Sequence, residues 1–323
     1  MRADQHHRRR RRDGRVARPR PRRAGRHRAR HPQPDHVLGD PAAVRAAAAR
    51  AGRARRGDPA MAEELSFPTS IGTSDAERIT LLGQDLAADL MGRVGFGELA
   101  YWLVAGRRPT PGETRVFEAV LVALADHGFT PTAIAARLTY ASAPEALQGA
   151  LAAGLLGGGS RFLGVTEDCG VFLHEVLADL PELPADDAGW DAVAAGAITA
   201  RRAAGRLLPG LGHPVHKVQD PRTPVLLRIA GEEGLRGPHL RLFEAIGRAH
   251  PAILGRTLPL NGAGVCGAAL ADLGLPVQLL RGFALLARAA GLLGHLAEER
   301  RTGLGLEIYR TVDRNARYVT PTE

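Results

Sequence analysis

Residues 209–222 read PGLGHPVHKVQDPR and hold three side chains of different chemistry. His213 follows a Gly-x-Gly turn, Lys217 comes four residues later and Arg222 nine residues later. An imidazole hydrogen-bonds a carbonyl or hydroxyl oxygen, an ammonium attracts phosphate, and a guanidinium fork grips a carboxylate through two parallel bonds. A site for an acidic acyl thioester needs all three. A second segment, LLGGGSRFLG at residues 155–164, contributes Gly157, Gly158 and Gly159, which let a ligand or a neighbouring helix come close to the backbone. Each group also has a plainer use. His213 can cap its own loop, Lys217 (the only lysine of the chain) can be solvated, and the glycines can serve helix packing alone.

The elements that must position these residues read as helices. Thr110-Pro111-Gly112-Glu113 supplies an N-cap, a proline at the first helical position and a glutamate at the third, which predicts a helix of about 16 residues. Thr130-Pro131 opens another, and Ser142 with Glu145 forms a second capping box. Glycines 157–159 precede a helix at roughly 161–180, and PELPADD separates it from one near 187–206. Two more are expected at about 222–234 and 238–250, and Pro276 starts a long helix ending near Arg301. Residues 78–82 read as a short extended piece. Apolar and polar residues alternate nowhere else and no repeat is present, so the expected class is all-α.

The long closing helix carries Arg281, Arg288 and His295 at intervals of seven. Seven residues leave only about 20° of drift, so the three stack on one face. A basic ridge among Leu, Ala, Phe and Gly calls for protein carboxylates or an anionic ligand; a solvated stripe is the alternative. The same three residues interrupt the longest apolar stretch, 279–296, which is therefore not read as a membrane span.

Charge divides sharply along the chain. Residues 1–60 hold 19 arginines against five aspartates, a net of +14, whereas the remainder holds 24 basic and 29 acidic residues, a net of −5. The chain's overall +9 thus belongs to the first segment, and the rest gives no reason to expect nucleic acid as a partner. That segment has no Ser, Thr, Lys, Phe, Tyr or Trp and no apolar period, so it is expected to be disordered. It also lacks the apolar core of an export signal and the serines of a transit peptide. We read it as an over-extended translation start, with Met61 of MAEELSF as the expected first residue; a nucleic-acid-binding arm is the alternative on charge alone. Cys169 and Cys266 stand far apart without a CxxC spacing, which gives neither a disulfide framework nor a zinc site and fits a reducing cytoplasm. No metal is expected.

Six ordered segments now carry a resemblance: FGELAYWLVAGRRPTPGE, ADHGFTPTAIAARL, LLGGGSRFLG, GLGHPVHKVQDPR, LPLNGAGVCGAALADLG and ARAAGLLGHLAEE. Across residues 67–309 the chain resembles the citrate synthase superfamily, and more closely its citryl-CoA lyase branch. The resemblance implies a helical homodimer in which a large domain (61–208 and 263–323) is closed by a smaller mobile one (209–262). It implies chemistry that joins or separates acetyl-CoA and oxaloacetate, with a coenzyme A thioester as substrate and no bound cofactor. By the same resemblance His213 and His127 are the catalytic histidines, and Arg222, Arg288 and Asn261 bind substrate. Lys217, Gly158 and Gly159 meet coenzyme A.

Cleaving a citryl thioester removes a proton from a tertiary hydroxyl, a task an imidazole such as His213 can perform, and needs donors where the enolate charge develops. Two positions depart from the family's pattern. Gly157 stands where synthases carry an enol-stabilising histidine, which favours the lyase branch. Ala263 stands two residues after Asn261, where the family carries its proton-transferring aspartate, and Asp272 lies too far along the same helix to substitute. The segment GLGLEIYR also lacks the synthases' Arg-Pro-Arg. Three functions follow in order: a lyase for citryl-CoA or a related 3-hydroxy-3-carboxyacyl-CoA; a citrate or 2-methylcitrate synthase; and a non-catalytic acyl-CoA-binding homologue.

Overall fold

Two consecutive residues with positive φ, Leu82 (52°) and Gly83 (76°), open the architecture by forming a two-residue hairpin turn. The turn joins the strands β2 (Ile79–Leu81) and β3 (Gln84–Asp85), and β1 (Gly72–Ser74) pairs antiparallel on the other side of β2. The expected extended piece is thus the middle of a three-stranded sheet, whose outer strands are too short to show alternation. These strands come from a computed structural model that describes residues 66–321. The arginine-rich segment 1–60 and Met61 lie outside the described residues.

Beyond a single π-turn at Leu86–Leu90 the described chain is mostly helical, as the expected fold class requires. Helix α1 (Phe96–Ala105) stops at Gly106, whose φ of 69° is the left-handed cap geometry. Helix α2 (Pro111–Ala125) begins with the expected capping box: Thr110 Oγ1 accepts from Glu113 N at 3.2 Å, and Glu113 Oε2 accepts from Thr110 N at 2.8 Å. Thr130 likewise caps α3 (Pro131–Ser142). The expected box at Ser142 and Glu145 does not form. Ser142 is still helical as the last residue of α3, and α4 (Leu147–Leu156) starts after Ala146 without a side-chain cap.

Helices α5 (Val165–Ala178), α6 (Asp187–Ala203), α7 (Arg222–Glu232) and α8 (Pro238–Leu254) fall close to their expected spans. Helix α9 (Gly262–Asp272), expected only in setting Asp272 along a helix from Ala263, has no period of its own to read, because GAGVCGAALAD is small and apolar on nearly every side. It runs through the core, where every residue of 262–271 except Ala263 is buried. At its crossing with α5, a Cβ on Gly267 would stand 2.0 Å from the Thr166 carbonyl oxygen, so only glycine lets the backbones touch. Cys169 and Cys266 are fully buried at this crossing, and burial pushes the Cys266 thiol up to about 12. Both act as small apolar residues.

Pro276 and a single 3₁₀ turn lead into α10 (Leu280–Thr302), followed by α11 (Leu304–Asn315). Helix α10 is long and apolar enough to cross a membrane, yet Leu280, Phe283, Ala284, Leu292 and Leu296 are buried in the protein. Its basic ridge finds internal partners. Arg281 pairs with Glu167 at 3.3 Å, and His295 Nε2 meets Asp126 Oδ1 at 2.9 Å. Arg137, fully buried on α3, donates to His295 Nδ1 at 3.1 Å and to Glu299 at 2.9 Å. The ridge is therefore no solvated stripe. Arg288, its middle member, is held differently.

Candidate active site

The C-terminal end of α2 is where the chemistry gathers. Its last carbonyls have no intrahelical partner and carry the negative end of the helix dipole, which favours cations. Arg222 Nη1 donates to the Ala123 oxygen at 3.2 Å, and Arg288 Nε donates to the Ala125 oxygen at 3.1 Å. The next two residues are Asp126, bonded to His295, and His127. The His127 ring lies 5.3 Å from that of His213 and 5.8 Å from that of His216, and the His213 and His216 rings stack at 4.5 Å. Residues far apart in sequence, His127, His213, Arg222 and Arg288, thus meet around one helix end.

The loop carrying His213 is pinned to the entry of α9. Gly210 (φ 81°) and Gly212 (φ 88°) take left-handed conformations that a side chain would resist. Gly212 N donates to the Pro259 oxygen at 2.7 Å, and Asn261 N donates to the Gly210 oxygen at 2.9 Å. Asn261 Nδ2 reaches the Gly212 oxygen at 2.7 Å, while its Oδ1 accepts from Gly264 N at 2.8 Å and caps α9. Asn261, expected on substrate, therefore spends its side chain fastening the histidine loop to the helix.

His213 is locked into one tautomer. Its Nδ1 accepts from Val215 N at 3.1 Å and from His216 N at 2.9 Å, so the ring proton must sit on Nε2. The loop-capping role open to this histidine is real, and it is what fixes Nε2–H as an outward donor. Burial, with help from His216, His127 and Arg222, lowers the pKa and keeps the ring neutral, opposed only by Asp220. Such an imidazole donates to an oxygen. With Nδ1 filled it has no free lone pair for a substrate proton, so of the two tasks open to an imidazole here the geometry leaves hydrogen-bond donation.

The two arginines differ in their partners. Arg222 donates through Nε to Asp220 Oδ1 at 3.0 Å and through Nη2 to Asp220 Oδ2 at 2.8 Å. Asp220 is fully buried and also accepts from Gly262 N at 2.7 Å; burial alone would raise its pKa, but these bonds hold the carboxyl well below the usual range. Arg288 is buried too, yet its Nη1 meets only the hydroxyls of Thr130 at 3.1 Å and Thr132 at 3.3 Å. It forms no ion pair among the described residues, and burial lowers its pKa. Of the charges around it, that of Asp126 favours the cation and that of Arg222 opposes it.

The remaining expected residues sit nearby with less to do inside the protein. Lys217 is exposed and donates from Nζ to the His213 oxygen at 3.1 Å. A Cβ on Gly158 would stand 2.7 Å from the Leu285 side chain on α10, so Gly158 serves close packing, whereas Gly159 has open space around it. Gly157 packs on Thr132, the same residue that holds Arg288, which places the glycine turn beside that arginine.

Sequence reasoning missed His216 and Asp220. The Asp-x-Arg spacing of 220–222 carried a signal for the second; His216 had none beyond its place in the loop. One ring nitrogen from each of His127, His213 and His216 lies within 4.8 Å of the other two, a donor set that divalent metals favour. With Nδ1 of His213 taken by two N–H groups, ligation through Nε2 would require both of those bonds to break.

The helical fold thus presents cations and imidazoles together at one helix end. The chain belongs to the citrate synthase family: residues 26–311 match the family described as citrate synthase, C-terminal domain. It is 29% identical to the citryl-CoA lyase of Hydrogenobacter thermophilus, with a TM-score of 0.69 over 80% of this chain and 96% of that one. An ATP citrate lyase of Methanosaeta concilii, solved as an aspartate-to-alanine variant in complex with (3S)-citryl-CoA, shares the fold at 22% identity, with a TM-score of 0.65 over 91% of this chain and 47% of that one. Among curated relatives, a probable ATP-citrate synthase of Caenorhabditis elegans is 26% identical over 274 residues, and the citrate synthase of Deinococcus radiodurans 29% over 226. The match spans about a quarter of the first relative (24%) and about half of the second (55%).

Proposed function

We propose that this protein cleaves citryl-CoA, or a related 3-hydroxy-3-carboxyacyl-CoA, into an acyl-CoA and a 2-oxo acid, acetyl-CoA and oxaloacetate in the first case. The observation that carries the reading is Arg288, a buried guanidinium with no carboxylate of its own, beside a histidine that can only donate. Arg288 takes a substrate carboxylate, and Arg222 adds its remaining N–H groups. The Nε2–H of His213 donates to the substrate's hydroxyl oxygen, where negative charge builds as that hydroxyl loses its proton and before the carbon–carbon bond opens. Lys217 and the turn at Gly158 and Gly159 meet the coenzyme A portion, and His127 faces the acidic end of the substrate. The near-complete overlap with a citryl-CoA lyase supports cleavage, as does Gly157 in the place of a synthase histidine. The working unit is a homodimer in a reducing cytoplasm, with residues 209–262 closing over the substrate.

The test is direct. Full-length protein is mixed with citryl-CoA, and released oxaloacetate is followed through a coupled NADH reaction. Saturable turnover that disappears in His213→Ala supports the lyase. Thiol release from acetyl-CoA plus oxaloacetate would instead mark a synthase. Tight thioester binding without turnover would mark a binding protein, the outcome that Ala263 favours.

A further inference from the structure

Breaking a carbon–carbon bond beside a hydroxyl moves one proton from oxygen to carbon, so a citryl-CoA lyase needs a group that can accept and return it. His213 is excluded, because its Nδ1 is filled by two backbone donors and its Nε2 already bears the proton. Asp220 is excluded, because Arg222 and Gly262 N hold it as a carboxylate. Asp126 is bonded to His295 and to Gly128 N. Asp272 lies at the far end of α9, where it holds His239 Nδ1 and caps α8 through the backbone N–H groups of His239 and Leu240. Ala263 has nothing to offer.

Two imidazoles remain, His127 and His216, each half-buried and neither ring hydrogen-bonded within the described residues. Two nitrogens that each approach one oxygen at about 2.8 Å, on neighbouring tetrahedral directions, stand about 4.6 Å apart. One nitrogen from each ring of this cluster lies within 4.8 Å of one from each of the others, a spacing compatible with two rings meeting one substrate oxygen. His127 stands on the α2 side, next to the carbonyls that seat both arginines, where the substrate's carboxylates are held. His216 stacks directly on His213. Its backbone N–H is one of the two that make His213 a donor, so one tight turn supplies both a donor and, beside it, a free acceptor.

We propose that His216 is the proton carrier of the cleavage. It takes the proton of the substrate hydroxyl; the oxygen's electrons form the carbonyl of the 2-oxo acid as the carbon–carbon bond breaks. The bonding pair passes to the thioester's α-carbon, and the imidazolium of His216 returns the proton to that carbon. No proton is gained or lost overall. His216 stacks on His213 and its ring lies 5.8 Å from that of His127, Lys217 follows it in the chain, and Asp220 and Arg222 act on the stacked His213. The inference rests on the lyase reading above.

The experiment measures citryl-CoA cleavage by full-length wild type, His216→Gln and His216→Ala from about pH 5 to 9, with and without added imidazole. The expected result is a wild-type rate that falls on the acid side of this range. His216→Gln lowers kcat by about 10²–10⁴ with KM within about threefold, and flattens that acid limb. Added imidazole restores part of the His216→Ala rate, which a merely structural defect would not allow. A His216→Gln enzyme within about threefold of wild type in kcat, or a slow variant with an unchanged pH profile and no imidazole rescue, overturns the assignment. A wild type inert at every pH overturns the lyase reading, and this inference with it.

Discussion

Arg222 and Arg288 both donate to the last carbonyls of α2, yet the protein treats their charges in opposite ways. Arg222 is balanced by a buried carboxylate that also ties down the first residue of α9. Arg288 has only a carbonyl and two hydroxyls. Three-part pairing around Asp220 joins the histidine loop, α7 and α9 into one unit, so Arg222 is first a structural residue. An unpaired buried cation gives no such return in stability, and in the function proposed above a substrate carboxylate pairs it. The contrast separates what holds the site together from what the site holds.

Substitutions at the two arginine environments should therefore move different observables. Asp220→Ala leaves Arg222 without its carboxylate and Gly262 N without an acceptor, and should lower unfolding free energy by about 3–5 kcal/mol in a denaturant titration. Arg288→Met should do the reverse. Replacing a buried, unpaired guanidinium by an apolar chain of similar length should leave stability within about 1 kcal/mol of wild type or raise it. The same change should cut kcat/KM for citryl-CoA by about 10²-fold, the loss of a charge-assisted bond to a carboxylate worth roughly 3 kcal/mol. If Arg288→Met proves as unstable as Asp220→Ala, the distinction between the two arginines fails.

The difference between local and distant causes also decides what could be read from sequence. The capping box of α2 was legible because both of its bonds lie within four residues. The same pattern at Ser142 and Glu145 misled, because a cap needs an extended backbone and Ser142 is the last helical residue of α3. Helix α9 shows no amphipathic pattern of its own, because burial on nearly all sides removes the period that marks a half-exposed helix. The types and positions of His127, His213, Arg222 and Arg288 could be read, and they do meet. What could not be read is the state of each. The tautomer of His213 is set by two backbone N–H groups, and the task of Asn261 by a loop carbonyl, Gly212 O, 49 residues earlier.

Acid should reveal the locked tautomer next. Protonating His213 puts a proton on Nδ1, where two N–H donors already point. The folded protein therefore resists it, and the pKa is lowered from its ordinary value of 6.5. The unfolded chain binds that proton more readily, so this contribution to stability is complete above about pH 6.5 and is lost as pH falls below it. His213→Gln should remove this part of the acid sensitivity. The Asp220 contribution differs in range: its carboxyl is held below 3.8, so stability is present above that value and is lost as pH falls through the lower folded one. Thermal unfolding from about pH 7 to 3 should show the first loss and the onset of the second in wild type, and only the onset of the second in His213→Gln.

Lys217 should give the smallest effect. Its side chain is exposed, and its one bond, to the His213 oxygen, competes with water, so Lys217→Ala should change stability by less than about 0.5 kcal/mol. If it meets a phosphate of the coenzyme A portion, the variant should raise KM for citryl-CoA a few-fold, with kcat unchanged and a weaker dependence of KM on salt. Arg288→Met should keep its full defect at high salt, because a buried pair is screened far less than an exposed one. Equal salt responses of the two variants would mean that Lys217 is as enclosed as Arg288 when substrate is bound. The comparison would then have to be redrawn between the two arginines alone.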